Sequence, residues 1–234
     1  MVTGLLVFAR CAGFTFRAPG FSHPSLPGPL RAGFALVLAI AIASGIERAP
    51  RAIDGAALLI ALLTEFLLGG AIGMTASLVY DGAYAGGRVV DDYVGVKAIA
   101  PSLQLVAPSG FGRVWSLAFT GGFFLSGGYR AVLLGFGESF ARIPVGAPMH
   151  VNGWLGYAAA FASTIVLVAL QVAAPAIALA FVVQIALGSL SRVIPRFGSF
   201  TLAFPLAFAA ALVATAVAVP VVAQRLPAPL LDIP

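Results

Sequence analysis

Charge, cysteine, histidine and lysine are all scarce in this sequence. Only 9% of its 234 residues are charged and 61% are hydrophobic, against about 25% charged in soluble domains. That balance excludes a soluble globular domain and indicates an integral membrane protein. The length allows one membrane domain of about six helices, with no room for a separate soluble one. Cys11 is the one cysteine, which excludes an internal disulfide framework or a cysteine metal cluster. His23 and His150 lie far apart, each beside turn residues, and read as surface or interface positions rather than ligands, so no metal site is expected. Twelve of the thirteen basic residues are arginine, and the formal net charge of +5 is scattered among connecting segments. Without a basic run, nucleic acid is not an expected partner. Catalytic patterns are missing too. Asp91 and Asp92 are neighbours that do not point at one common atom, and no HExxH, GxSxG or phosphate-binding glycine loop occurs. No enzymatic activity, catalytic residue or cofactor is expected.

Long apolar runs are what the sequence does have. The N-terminal stretch, Val2–Phe16, differs from a signal peptide: its start is uncharged, Arg10 lies inside the apolar part, and no small-residue cleavage site follows. It is expected to be a retained first helix. After a proline-rich turn, helix two is predicted over Ala32–Ile46 and helix three from Ala56 to Tyr80. Helix four is predicted over Phe111–Phe136, and the last apolar run covers Phe197–Ala223. Between them Trp154–Ser191 carries no charge, with Pro175 near its middle. It is about twice the ~20 residues a span needs. One helix kinked at the proline is favoured over two helices, because Gln171–Ala176 offers no charged or glycine-rich turn. Charge bias across the connectors is weak, so orientation is not set by the positive-inside rule. The uneven helix lengths suggest that the helices are bedded largely in partner proteins.

One interrupted stretch, Arg88–Arg113, is read as the centre around which the chain is organised. Its centre is too apolar for a solvated loop, with Val94, Val96, Ile99, Leu103, Leu105 and Val106. It is also punctuated by Gly95, Pro101, Pro108 and Gly110, with Lys97 inside. Non-helical backbone near hydrocarbon is tolerated only where protein buries it or where it lines a cavity. The stretch is therefore expected to be a re-entrant or plug-like loop between helices three and four, with a long, partly apolar surface loop as the alternative. Arg10 and Glu65 are ionisable groups inside apolar helices, where a charge costs at least about 2.5–3.5 kcal/mol. They form either a structural pair, within the chain or with a neighbouring subunit, or part of an ion path. Gly69, Gly73 and Ser77 recur at a four-residue step that lets helix backbones approach closely, and Gly82 and Gly86 continue it. Their partner is either this chain or another subunit.

These motifs resemble the FliR family of flagellar type III export-gate proteins, with the SctT virulence-secretion proteins as close relatives. The likeness runs over nearly the whole chain. It includes Arg10, the Pro-rich link to Arg31, and Glu65-Phe66-Leu67-Leu68-Gly69 running on to Gly73. Ala85-Gly86-Gly87 with Gly95, Gly127-Gly128-Tyr129, and the segment Glu138–Gly146 (ESFARIPVG) continue it. Its most specific part is Leu187-Gly188, Arg192, Pro195 and Phe200, followed by Phe204-Pro205-Leu206. Tyr129 stands where the family usually has histidine, and Tyr93 where it has glutamine. The resemblance implies an all-α integral membrane protein with FliP-like N-terminal helices over 1–150, a plug loop at about 88–113, and a FliQ-like C-terminal helical hairpin over 151–234. That hairpin would turn at Arg192, Pro195 and Arg196. It further implies assembly with FliP-like and FliQ-like subunits beside an FlhB-like switch protein in the bacterial inner membrane at the flagellar basal body. Val94, Gly95, Val96, Ile99, Pro101, Leu103, Leu105 and Val106 would then close the channel through which unfolded proteins are secreted. A small-solute or ion transporter using Glu65 and Arg10 at a midplane site is the competing reading from another class. Inverted repeats that would favour it are not evident.

Overall fold

Proline and glycine set the helix ends. The computed structural model describes residues 2–22, 26–46, 55–95, 110–147, 154–194 and 200–225. Among them lie seven helices: α1 Val2–Arg17, α2 Gly28–Ala43, α3 Gly55–Val94, α4 Phe111–Leu125, α5 Gly128–Arg142, α6 Trp154–Ser191 and α7 Phe200–Arg225. The described residues are all-helical in their regular structure, as composition predicts for an all-α membrane protein. Among the described residues two helices, Gly55–Val94 and Ala158–Ser191, are long and apolar enough to cross a membrane, or three spans if α4 and α5 count as one broken span.

The main differences from the sequence reading concern three helices. Helix α2 starts at Gly28 rather than Ala32, because Pro29 lies in its first turn, where the missing N–H would have no intrahelical partner anyway. Helix α3 does not stop near Tyr80. It runs for 40 residues to Val94, so Arg88–Val94 is helical rather than the start of an interrupted loop. No proline falls between Gly55 and Val94, and the helix ends only where Gly95 takes a left-handed φ of 84°. The Gly95 N–H donates to the Asp91 carbonyl at 3.1 Å, the usual glycine closure of a helix. The predicted fourth helix is two helices, because Gly127 is also left-handed, with φ 75°. Helix α6, by contrast, is a single helix of 38 residues that continues through Pro175.

The chain divides into two compact units, one from Met1–Leu78 and Phe123–Phe161, the other from Val79–Gly122 and Ala162–Pro227. In the first, α1 packs on α2, and the core joins Leu6, Val7, Cys11 and Phe14 of α1 to Ala35 and Ala39 of α2, Ile72 of α3, and Phe136 and Phe140 of α5. The Phe14 and Phe136 rings stack at 4.2 Å. In the second, glycines of α3 admit α6: a Cβ on Gly82 would lie 2.7 Å from the Val168 side chain, and one on Gly86 would lie 2.5 Å from the Ala169 carbonyl oxygen. Trp115 of α4 is fully buried there and stacks on Phe119.

Candidate functional site

The glycine step of α3 brings the intramembrane charges together. A Cβ placed on Gly69 would land on the Arg10 carbonyl oxygen, and one on Gly13 would land on the Phe66 carbonyl oxygen. One on Gly73 would lie 2.6 Å from the Phe14 carbonyl oxygen. Helices α1 and α3 therefore touch backbone to backbone, a contact that only residues without side-chain bulk permit. Glu65 lies one turn before Gly69 on the same face, and the close approach puts it against Arg10. Ser77, further along, is buried and turns its hydroxyl back on the Met74 carbonyl at 3.0 Å.

Arg10 and Glu65 form an ion pair with relative exposures of 0% and 1%, Nε–H donating to Oε2 at 2.5 Å. The rest of the guanidinium faces the end of α5. Nη1 donates to the Ser139 and Ile143 carbonyls at 3.2 and 3.1 Å, and Nη2 to Ile143 at 3.1 Å. Its carbon lies 4.3 Å above the centre of the Phe140 ring. The Ser139 carbonyl also accepts the Ile143 N–H at 2.9 Å, and carbonyls at a helix C-terminus carry partial negative charge, so the buried cation is met by both the carboxylate and the helix end. The other carboxylate oxygen, Oε1 of Glu65, accepts the Gly146 N–H at 2.8 Å. Gly146 has φ 80°, a conformation that a side chain disfavours. Val145 is drawn into the core. The pair thus fastens the Ile143-Pro144-Val145-Gly146 turn to α1 and α3. Three stretches that are separate in sequence, Arg10, Glu65 to Gly73 and Ser139 to Gly146, form one structure. The polar atoms of Arg10 and Glu65 are buried and turned to each other and to backbone. Among the described residues no group of three or more His, Cys, Asp or Glu could hold a metal.

A second constellation borders the central stretch. Val94 is buried in the last turn of α3, followed by Gly95. Val96, Ile99, Pro101, Leu103, Leu105 and Val106 lie outside the described residues, as do His23, His150, Pro195 and Arg196. Asp91, which sequence reasoning set aside for lack of a catalytic partner, is 1% exposed. Its carboxylate accepts the Phe111 N–H at 3.0 Å and the Gly112 N–H at 3.5 Å. A Cβ on Gly87, one turn earlier, would land on Gly112. No local pattern announces this contact, since its partners are 20 and 21 residues apart in sequence. In the turn after α6, Arg192 is exposed and its N–H donates to the Ser189 carbonyl at 3.3 Å.

Residues 1–229 match the family described as Bacterial export proteins, family 1. The chain belongs to that family. Among its relatives is the flagellar biosynthetic protein FliR of Bacillus subtilis, 30% identical over 210 residues, covering 86% of this chain and 80% of the relative. The protein of the same name from Aquifex aeolicus is 26% identical over 232 residues, covering 95% and 87% respectively. The Yop proteins translocation protein T of Yersinia pestis is 26% identical over 214 residues, covering 88% and 81%. In this bacterial export family member, Arg10 and Glu65 at the turn of residues 143–146 and Asp91 against the start of α4 are buried charged side chains among the described residues.

Proposed function

We propose that this chain is a core subunit of the flagellar type III protein export gate, helping to form and close the channel through which unfolded flagellar proteins leave the cell. The observation that carries this reading is the match along residues 1–229 together with relatives named for flagellar biosynthesis that are covered over most of their length. The reading includes FliP-like and FliQ-like neighbours, an FlhB-like switch protein nearby, and a place in the inner membrane at the basal body. Residues 1–150 would be the FliP-like part and 151–234 the FliQ-like part. The stretch expected at about 88–113, of which Arg88–Val94 is helical and Val94 is buried, would supply the plug, with the apolar side chains Val96, Ile99, Leu103, Leu105 and Val106 closing a pore by dewetting.

The exposed apolar surface supports a chain that is surrounded by other helices or lipid. Val37, Ile40, Leu59, Ile60 and Leu63 are each 60–69% exposed. The Arg10–Glu65 pair, sealed and spent on backbone, supports a structural role over a solute site. A virulence-type export subunit is the second reading, favoured by the Yersinia translocation relative.

The experiment is copurification from native membranes, followed by deletion of Lys97–Pro108 in the assembled complex. A discrete complex with FliP-like and FliQ-like proteins, made leaky to ions by the deletion, is expected. A monomer in native membranes, or a deletion complex as tight as wild type, refutes the reading.

A further inference from the structure

Helix α6 carries two glutamines and no charge along its 38 residues, and the two amides are treated differently. Gln184 is met within the chain, where the Tyr93 hydroxyl on α3 donates to its Oε1 at 3.3 Å. Gln171 is exposed, and its side chain has no hydrogen-bond partner among the described residues. It stands on the outward face of the helix. Val168, Val172, Ala176 and Ala180, on the other face, are buried, whereas Leu167 and Leu170 beside Gln171 are 57% and 61% exposed. The main chain adds a second polar group at the same place. Pro175 lies four residues on and has no N–H, so the Gln171 carbonyl lacks its regular helical donor. One residue therefore presents two acceptor oxygens and an NH2 group among apolar neighbours.

Lipid cannot satisfy that spot. The apolar span runs over Ala158–Ser191, and a window of about 20 residues, enough to cross the hydrocarbon, contains Gln171 for any start from Ala158 to Gln171. Polar groups at that depth need hydrogen-bond partners, and acyl chains offer none. A neighbouring helix can supply them, because Ala174 and Ala178 on the same face are exposed and small enough to admit a close backbone. A neutral side chain with two N–H groups and one oxygen matches the set, whereas an ammonium or guanidinium would bring a charge to mid-membrane without a counter-ion. We propose that Gln171, with the carbonyl freed by Pro175, is the docking point for a spanning helix of a neighbouring subunit whose asparagine or glutamine carboxamide pairs with it. The inference rests on the reading of this chain as a subunit of an export complex, and gives one contact of that complex a definite chemistry.

The test uses the complex purified from native membranes. A benzophenone photo-cross-linker in place of Leu170 is expected to join a spanning helix of a copurifying subunit, within a turn or two of an asparagine or glutamine. Gln171→Leu keeps the apolar area and removes the carboxamide. An interhelical hydrogen bond in a membrane amounts to a factor of about three to thirty in an equilibrium, and the variant should dissociate from its neighbours more readily by that factor on detergent challenge. Pro175→Ala returns an N–H to the Gln171 carbonyl and should weaken retention less. Changing the partner's carboxamide to leucine should add little once Gln171→Leu is present. A cross-link to a second copy of this chain, to another part of the same chain or to lipid alone overturns the proposal, as does wild-type retention of Gln171→Leu. If Gln171→Leu fails to assemble, the cross-link from the chain that keeps Gln171 decides. A monomer in native membranes removes the export-subunit reading and this inference with it, whereas a complex whose cross-linked helix has no such carboxamide removes this inference alone.

Discussion

Replacing Arg10 with alanine is the most severe single change the structure predicts in the first unit. Removing one partner of a buried ion pair costs about 3–5 kcal/mol, because the other charge stays buried alone. In Arg10→Ala, Glu65 would keep the Gly146 N–H but lose its counter-charge. The Ser139 and Ile143 carbonyls would lose the guanidinium donors as well, so the cost belongs at the upper end of that range. Glu65→Gln keeps an oxygen for Gly146 but leaves Arg10 without its counter-charge, which places it near the lower end. In the double variant Arg10→Met with Glu65→Met no buried charge remains. Apolar replacement of a whole buried pair is often neutral or stabilising by about 1–4 kcal/mol, which offsets the loss of about 1–3 kcal/mol for each backbone group left without a partner. The double variant should therefore be more stable than Arg10→Ala alone. The assay is a temperature ramp on the detergent-solubilised complex, reading the fraction of this chain still bound to its neighbours. At about 2–4 °C per kcal/mol for a chain of this size, Arg10→Ala should lower the midpoint by on the order of 10 °C. A double variant no more stable than Arg10→Ala would refute the pairing argument. A Glu65→Gln complex with a wild-type midpoint but no export would refute it too, by showing that the carboxylate works through its charge during transport.

Two further outcomes follow from backbone geometry. Gly13→Ala and Gly69→Ala each force a methyl onto a facing carbonyl, and overpacking of this kind costs about 1–3 kcal/mol or more. Gly4→Ala and Gly33→Ala meet nothing within 4 Å and should be neutral or stabilising by about 0.5–1 kcal/mol; the same temperature ramp separates the two pairs. Gly127→Ala at φ 75° should cost about 1–2 kcal/mol, with Gly127→Asn costing less because asparagine tolerates the left-handed region; a midpoint order of glycine, asparagine, alanine is expected.

Periodicity and composition made the membrane class, the apolar runs and the single helix through Pro175 legible, because long uncharged runs have few alternatives. Arg10 and Glu65 could be singled out because a charge in an apolar helix is conspicuous. Their partner could not. The acceptors on α5 are main-chain carbonyls, and carbonyls of residues 139 and 143 look the same in any sequence. The glycine step suggested close helix contact, but its division between α1 for Gly69 and Gly73 and α6 for Gly82 and Gly86 depends on tertiary packing. Asp91 was passed over for the same reason: its neighbours in space are amides of α4 that carry no side-chain signature. The extension of α3 to Val94 was not legible because the uncharged run ends at Tyr80, with Asp81, Arg88, Asp91 and Asp92 following, yet these charges do not interrupt the helix.

The fastening of α1 to the turn after α5 also sets a timetable for biogenesis. Arg10 and Ile143 are 133 residues apart, and ribosomes add about 5–20 residues per second, so roughly 7–27 s pass before the first acceptor of that turn follows the arginine out. For the first part of that interval, until Glu65 follows 55 residues after Arg10, the short N-terminal helix carries a cation without its counter-charge, whose placement at mid-bilayer costs about 2.5–3.5 kcal/mol. The newborn chain must therefore keep Arg10 at the water interface, or shelter it against an insertion factor, until Glu65 is synthesised, and the carbonyls of the later turn complete its surroundings only afterwards.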